Sequence, residues 1–189
     1  MRKIMSKHDE SRKRKRNQII IGGVLIFIMF FSALGYSFFG SENDIYSKVL
    51  YNGYEFVNKD SFWFLSIEGS DFAFKYNPRE VEKSYSELKR LDNYYGKPLY
   101  ISSYIPEAER EIYVNLGQFV QRMQYACLEG EKCEGDLPIK SCENNFIIIK
   151  EENISDIKQM GNCVFIQGSQ ENIVKVTDEF LFKVLGIEQ

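Results

Sequence analysis

The sequence predicts an α+β protein: an N-terminal transmembrane helix, then one small extracytoplasmic domain of antiparallel sheet plus helices, tied by disulfides. Three observations carry this expectation. Residues 19–39 are an uncharged apolar run, residues 54–76 alternate apolar and polar side chains between turn-forming groups, and two later stretches repeat apolar residues at helical spacing.

Residues 1–18 form a basic tail. Arg2, Lys3, Lys7, Arg12, Lys13, Arg14, Lys15 and Arg16 stand against Asp9 and Glu10, a net charge of +6 in a chain of formal charge −3, so residues 19–189 carry −9. Ile19–Phe39 holds 21 uncharged residues. A helix of about 20 apolar residues crosses a bilayer core, and the basic flank predicts a cytoplasmic N-terminus with the rest outside. A cleaved signal peptide has similar ingredients but an apolar region of only about 7–15 residues; an uncleaved anchor is therefore expected. The RKRKR run at Arg12–Arg16 reads as a topology determinant lying against anionic headgroups. The acidic remainder predicts no nucleic-acid partner.

Residues 40–48 read as a polar juxtamembrane connector and 49–189 as one domain. About 140 residues suffice to bury a core. Tyr54–Val57, Phe62–Ile67 and Phe72–Tyr76 are expected as strands of an antiparallel meander, because Phe72, Phe74 and Tyr76 alternate with polar or small neighbours. A helix is expected from Asn77-Pro78-Arg79-Glu80, with Asn77 as cap, Glu80 reaching back to it, and Val81, Tyr85 and Leu88 on one face. Gly96-Lys97-Pro98 ends it, and Leu99–Ser103 follows as a strand.

From Pro106, Ile112, Leu116, Phe119, Val120, Met123 and Cys127 recur at helical spacing and predict one long helix. Strands are expected at Phe146–Ile149 and Cys163–Gln167, with a short one at Ile157–Gln159 between them, and a final amphipathic helix over residues 170–185.

All four cysteines, Cys127, Cys133, Cys142 and Cys163, fall on the exported side, where an even number favours two disulfides. Of the three possible pairings, Cys127 with Cys133 and Cys142 with Cys163 is preferred: the first staples the loop after the long helix, and the second ties two neighbouring strands. Four thiolates could instead hold zinc, but the spacings lack paired C-x2-C knuckles; no metal and no cofactor is expected. Asn153-Ile154-Ser155 is a possible glycosylation site in a polar loop.

Little chemistry is signalled. The single histidine, His8, lies in the tail, and the nucleophile-elbow, P-loop and zinc-protease motifs are missing, which removes those enzyme classes. Paired carboxylates remain possible for hydrolysis. Glu107, Glu109 and Glu111 read as a solvated helix face, since residues two apart on a helix do not meet. Trp63 reads as a packing residue rather than part of a ligand groove.

The stretches Leu137–Cys142, Asn145–Lys150, Asn162–Ile166 and Lys175–Phe182, with the anchor topology, resemble uncharacterised single-pass membrane proteins of small-genome archaea. The likeness covers about the last 80 residues and the N-terminal topology. It implies an archaeal envelope and agrees with the disulfide reading, but no activity. The pilin class fits poorly, because no Lys-Gly or Arg-Gly processing site precedes the apolar run.

The expected function is that of an envelope binding or scaffolding protein, in contact with the bilayer and an envelope protein partner, with no catalytic activity evident. A membrane-anchored carboxylate-dependent hydrolase of surface glycans is the alternative from another class. A small subunit of a division or secretion complex, acting through its helix, is the third.

Overall fold

A computed structural model describes residues 17–31, 46–133 and 135–188. The chain divides into two units, residues 1–45 and 46–189.

In the first unit, residues 17–31 are helical (α1). Ile19, Leu25, Phe27, Phe30 and other large apolar side chains of α1 are exposed. Among the described residues no helix is long and apolar enough to cross a membrane. Residues 32–39 of the expected span, and the basic tail to residue 16, lie outside the described residues.

The second unit begins with a four-stranded antiparallel meander: β1 (Lys48–Tyr51), β2 (Tyr54–Lys59), β3 (Phe62–Ile67) and β4 (Ser70–Phe74). Each hairpin closes through two residues, as the pairs Tyr51↔Tyr54, Lys59↔Phe62 and Ile67↔Ser70 show. All six turn residues, from Asn52-Gly53 to Glu68-Gly69, have positive φ. That is the type I′ geometry whose twist matches paired strands. β1 was not expected, although Asn52-Gly53 is the strongest short hairpin signal there is.

A second sheet has the order β10-β11-β9-β5-β6. Its strands are β5 (Pro98–Ser102), β6 (Arg122–Tyr125), β9 (Asn145–Glu151), β10 (Asp156–Met160) and β11 (Cys163–Gly168). The α+β class holds, but this sheet is mixed: β6, β5, β9 and β11 run parallel, and only β10 is antiparallel. The physical reason is in β9, where Phe146, Ile147, Ile148 and Ile149 are all buried. Ile147 and Ile149 join the main core while Phe146 and Ile148 join a smaller one behind the sheet. A strand covered on both faces reads as a continuous apolar run, the mark of a parallel sheet.

Helix α2 (Pro106–Leu116) connects β5 to β6, and α3 (Ile173–Val184) follows β11. Both helices pack between the two sheets. Phe182 of α3 meets Phe74 at 4.8 Å and Phe56 at 5.8 Å between ring centroids, while Ile147, Ile149, Val164 and Ile166 belong to the same core. Asn115 of α2 clamps β4 with a bond from Ala73 N–H (2.9 Å) and one to its carbonyl (2.7 Å).

Two expected helices differ. The long helix from Pro106 stops at Leu116; Phe119 and Val120 sit in the following turn, Met123 lies in β6 beside Leu99, and Cys127 opens the short strand β7 (Cys127–Leu128), paired with β8 (Ile139–Lys140). Helical spacing continued by coincidence across a turn and a half-buried strand. The helix after Asn77 does not propagate, although its cap forms: Asn77 N–H donates to Glu80 (2.9 Å) and Arg79 N–H to Asn77 Oδ1 (2.8 Å). Downstream amides are taken by distant partners instead. Ser84 N–H donates to Glu179 and Lys89 N–H to Gln159, each at 2.8 Å, so residues 82–90 form an irregular strap past α3 and the β10 edge.

The disulfides pair Cys127 with Cys133 and Cys142 with Cys163. The second fastens β11 to the segment before β9 and lies at the smaller core, to which Cys163 belongs and against which Cys142 packs.

Candidate functional site

Six consecutive residues of α3, Thr177 to Phe182, are buried. At 100° per residue such a run covers the whole helix circumference, so Asp178 and Glu179 are carried inward by a helix enclosed on all sides. The chain then turns back. Gly186, with φ of +76°, ends α3 in a Schellman motif: Gly186 N–H donates to Lys183 O (3.1 Å) and Ile187 N–H to Phe182 O (2.9 Å). This reversal places Glu188 against Glu179.

Four buried carboxyls thus gather as two pairs. In the first, Glu111 of α2 meets Asp178, whose Oδ2 accepts from Tyr76 N–H at 2.8 Å. In the second, Glu179 Oε1 accepts from Ser84 N–H, while Glu188 Oε1 accepts from the Tyr51 hydroxyl (2.7 Å) and pairs with Lys83 Nζ (2.6 Å). Among the described residues, the buried side-chain polar atoms without a partner are Glu111 Oε2, Asp178 Oδ1, Glu179 Oε2 and Glu188 Oε2, one per carboxyl.

Burial raises Asp178 well above the ordinary carboxylate value, and the Glu111 charge raises it further. Burial also raises Glu111, against opposing hydrogen bonds. Burial and the hydrogen bond to Glu188 push Glu179 up to about 8. For Glu188, burial acts upward, but hydrogen bonds from Glu179, Lys83 and Tyr51 outweigh it and hold the group below its ordinary value. Glu179 is therefore the acid of its pair and Glu188 the carboxylate. Environments that drive two acids apart in this way are how proton donors and acceptors are set up.

Glu179 also lines a cleft of about 490 Å³ between the strap, the start of β10 and the first turns of α3. Ser84, Ser86, Ser155, Asn172 and Lys175 offer hydrogen-bonding groups around it, and Tyr85, also lining it, is 98% exposed. A second, more apolar hollow of about 330 Å³ lies between α2 and β6, lined by Ile101, Pro106, Tyr113, Met123 and Tyr125 among others.

The residues singled out from the sequence are mostly elsewhere. Trp63 packs in the main core. The sequon residues Asn153 and Ser155 are exposed in the loop before β10, and Ser155 touches the cleft. Glu107 is exposed and Glu109 accepts from the Tyr125 hydroxyl at 2.5 Å, but Glu111 is buried, which corrects its reading as part of a solvated face. The four cysteine sulfurs are bonded in pairs, and among the described residues no group of three metal-binding side chains converges.

Asp178, Glu179, Glu188, Lys83 and Tyr51 were not singled out. One weak signal for the first two existed: Asp178 and Glu179 run directly into the apolar Phe180-Leu181-Phe182, a stretch too wide for one helix face to keep its neighbours in solvent. Comparison with family models, curated proteins and solved structures found no match.

Proposed function

We propose that this chain is a membrane-anchored binding protein of the cell envelope, displayed on the outer side, whose cleft beside α3 holds a hydroxyl-rich surface glycan. The cleft carries the ligand reading. Its acidic and basic linings are mixed, Lys83 and Lys175 against Glu80, Glu82 and Asp156, which favours a neutral polar ligand over a strongly charged one. Serine hydroxyls and the Asn172 amide supply both donors and acceptors. The exposed Tyr85 ring adds an amphipathic surface for the apolar face of a sugar. The basic tail, the uncharged run 19–39, the exposed apolar side chains of α1 and two disulfides support the anchored, exported topology. An archaeal envelope, implied by the resemblance of the C-terminal stretches, is one such setting.

The test is oligosaccharide binding by the full chain in detergent micelles, measured by calorimetry for wild type, Tyr85→Ala and Asn172→Ala. Millimolar or tighter binding weakened in both variants supports the reading. If no envelope glycan binds and crosslinking in intact membranes recovers a protein instead, the glycan assignment falls. Topology has its own measurement: an impermeant thiol-reactive polymer on intact cells labels the chain only after reduction if the disulfides face outward.

A second reading, hydrolysis of such a glycan, is favoured by the acid Glu179 beside the carboxylate Glu188. It ranks lower because these groups bond each other, whereas glycosidase carboxyls flank the scissile bond about 5 Å or more apart. Product release by wild type, abolished in Glu179→Gln without loss of binding, would raise it to first place.

A further inference from the structure

The partnerless oxygens around α3 come as facing pairs: one from Glu111 with one from Asp178, and one from Glu179 with one from Glu188. Two ionised carboxylates in contact, closed off from water, repel each other, whereas a single proton between them makes a short charge-assisted hydrogen bond. All four groups are 5% exposed or less. Each pair also joins α3 to something else, Asp178 to α2 and Glu179 to the segment beyond Gly186.

We infer that α3 is held in its slot by two shared protons, so that the folded unit is an acid-stabilised module in which α3 loosens from α2 and from the C-terminal segment as pH rises. This does not depend on what occupies the cleft.

The surrounding charges do not substitute for those protons. Around Glu179 and Glu188 stand Lys83 from the strap, Tyr51 from β1, Lys183 from α3 itself and the Ser84 amide. Lys83 already pairs with Glu188, and Lys183 Nζ donates to Ser86 O at 3.0 Å, so neither sits on Glu179 Oε2. Around Glu111 and Asp178 stand Lys75 and Tyr76 after β4 and Arg110 of α2. Lys75 and Arg110 lie over the Phe62 ring at 5.0 and 5.1 Å, and neither bonds the orphaned oxygens. Loss of either proton leaves two buried negative charges with no added cation.

The sign follows from proton counting. A carboxyl still protonated in the folded chain, but ionised in the unfolded one, makes the folded state bind more protons, so stability falls with rising pH. For Glu179 the window runs from its ordinary 4.5 to about 8. Asp178, also raised, acts in the same direction.

The experiment is urea unfolding of the full chain in detergent micelles across pH 5 to 8, with infrared detection of protonated carboxyl groups. The folding equilibrium constant is expected to fall on the order of a hundredfold over that range. The Asp178→Asn/Glu179→Gln double variant, which offers an amide donor in place of each shared proton, should lose most of that slope. A flat wild-type profile, or an unchanged slope in the double variant, overturns the inference. Should the double variant not fold, the wild-type infrared band decides: a protonated-carboxyl signal at neutral pH that vanishes with α3 loosening supports it, and its absence overturns it.

Discussion

Glu188, at the end of the described chain, accepts a 2.7 Å hydrogen bond from the hydroxyl of Tyr51 in β1, joining positions 137 residues apart. The same carboxylate oxygen receives Lys83, so the first strand, the strap and the last turn close on one another. Tyr51→Phe removes one of three donors to a buried charge. It should cost about 1–2 kcal/mol, read as a lower urea midpoint with an unchanged slope.

Gly186 makes that closure possible. Its left-handed conformation costs an L-residue about 1–2 kcal/mol, and a Cβ there would also run into the Arg90 guanidinium. Gly186→Ala is expected to lower the melting temperature by about that backbone term, because the flexible end of the Arg90 side chain can move aside. Combined with Tyr51→Phe it should be less than additive, because both loosen Glu188; a double-mutant cycle measures the difference.

Phe182 touches the rings of both Phe56 and Phe74 and is fully buried between the sheets. Phe182→Ala should cost about 3–5 kcal/mol, a large part of the stability of a domain this size. Loss of cooperative unfolding, or retention only at low temperature, is the expected calorimetric result.

The two disulfides span 21 and 6 residues. Restriction of the unfolded chain is worth about 3 kcal/mol for the longer loop and about 2 kcal/mol for the shorter. Serine pairs at 142/163 and at 127/133, compared by urea denaturation, should rank in that order, with further loss at 142/163 because Cys163 sits in the smaller core.

Asn153 is exposed in the loop before β10. Expressed in a glycosylating membrane system, the full chain should gain one glycan, seen as a gel shift removed by Asn153→Gln. An unshifted chain whose cysteines label only after lysis, without reduction, would place the folded unit on the inner side.

Much of the fold was legible locally. β3 was expected at its observed bounds, and β2, β5, β9, β10 and β11 nearly so, since alternation or a dense apolar run marks each within a few residues. α3 was visible for the same reason. Local signals misled where two meanings share one pattern: Met123 and Cys127 continue a helical spacing but lie in strands, and the Asn77–Glu80 cap formed without its helix. For the site, the sequence offered only the apolar surroundings of Asp178 and Glu179.

By itself, then, the sequence determined the strand-rich start, the central apolar strand, the final helix and the division between a basic, apolar N-terminus and an acidic folded part. These depend on side chains close in the chain, whose spacing selects helix or strand before anything packs. Only the tertiary structure decided that the second sheet is mostly parallel, that α2 ends at Leu116, and that Glu111 meets Asp178 while Glu179 meets Glu188. Those outcomes depend on which distant elements share one core. The charge state of a carboxyl is set by what surrounds it in space, and for Glu188 that means Tyr51, Lys83 and Glu179.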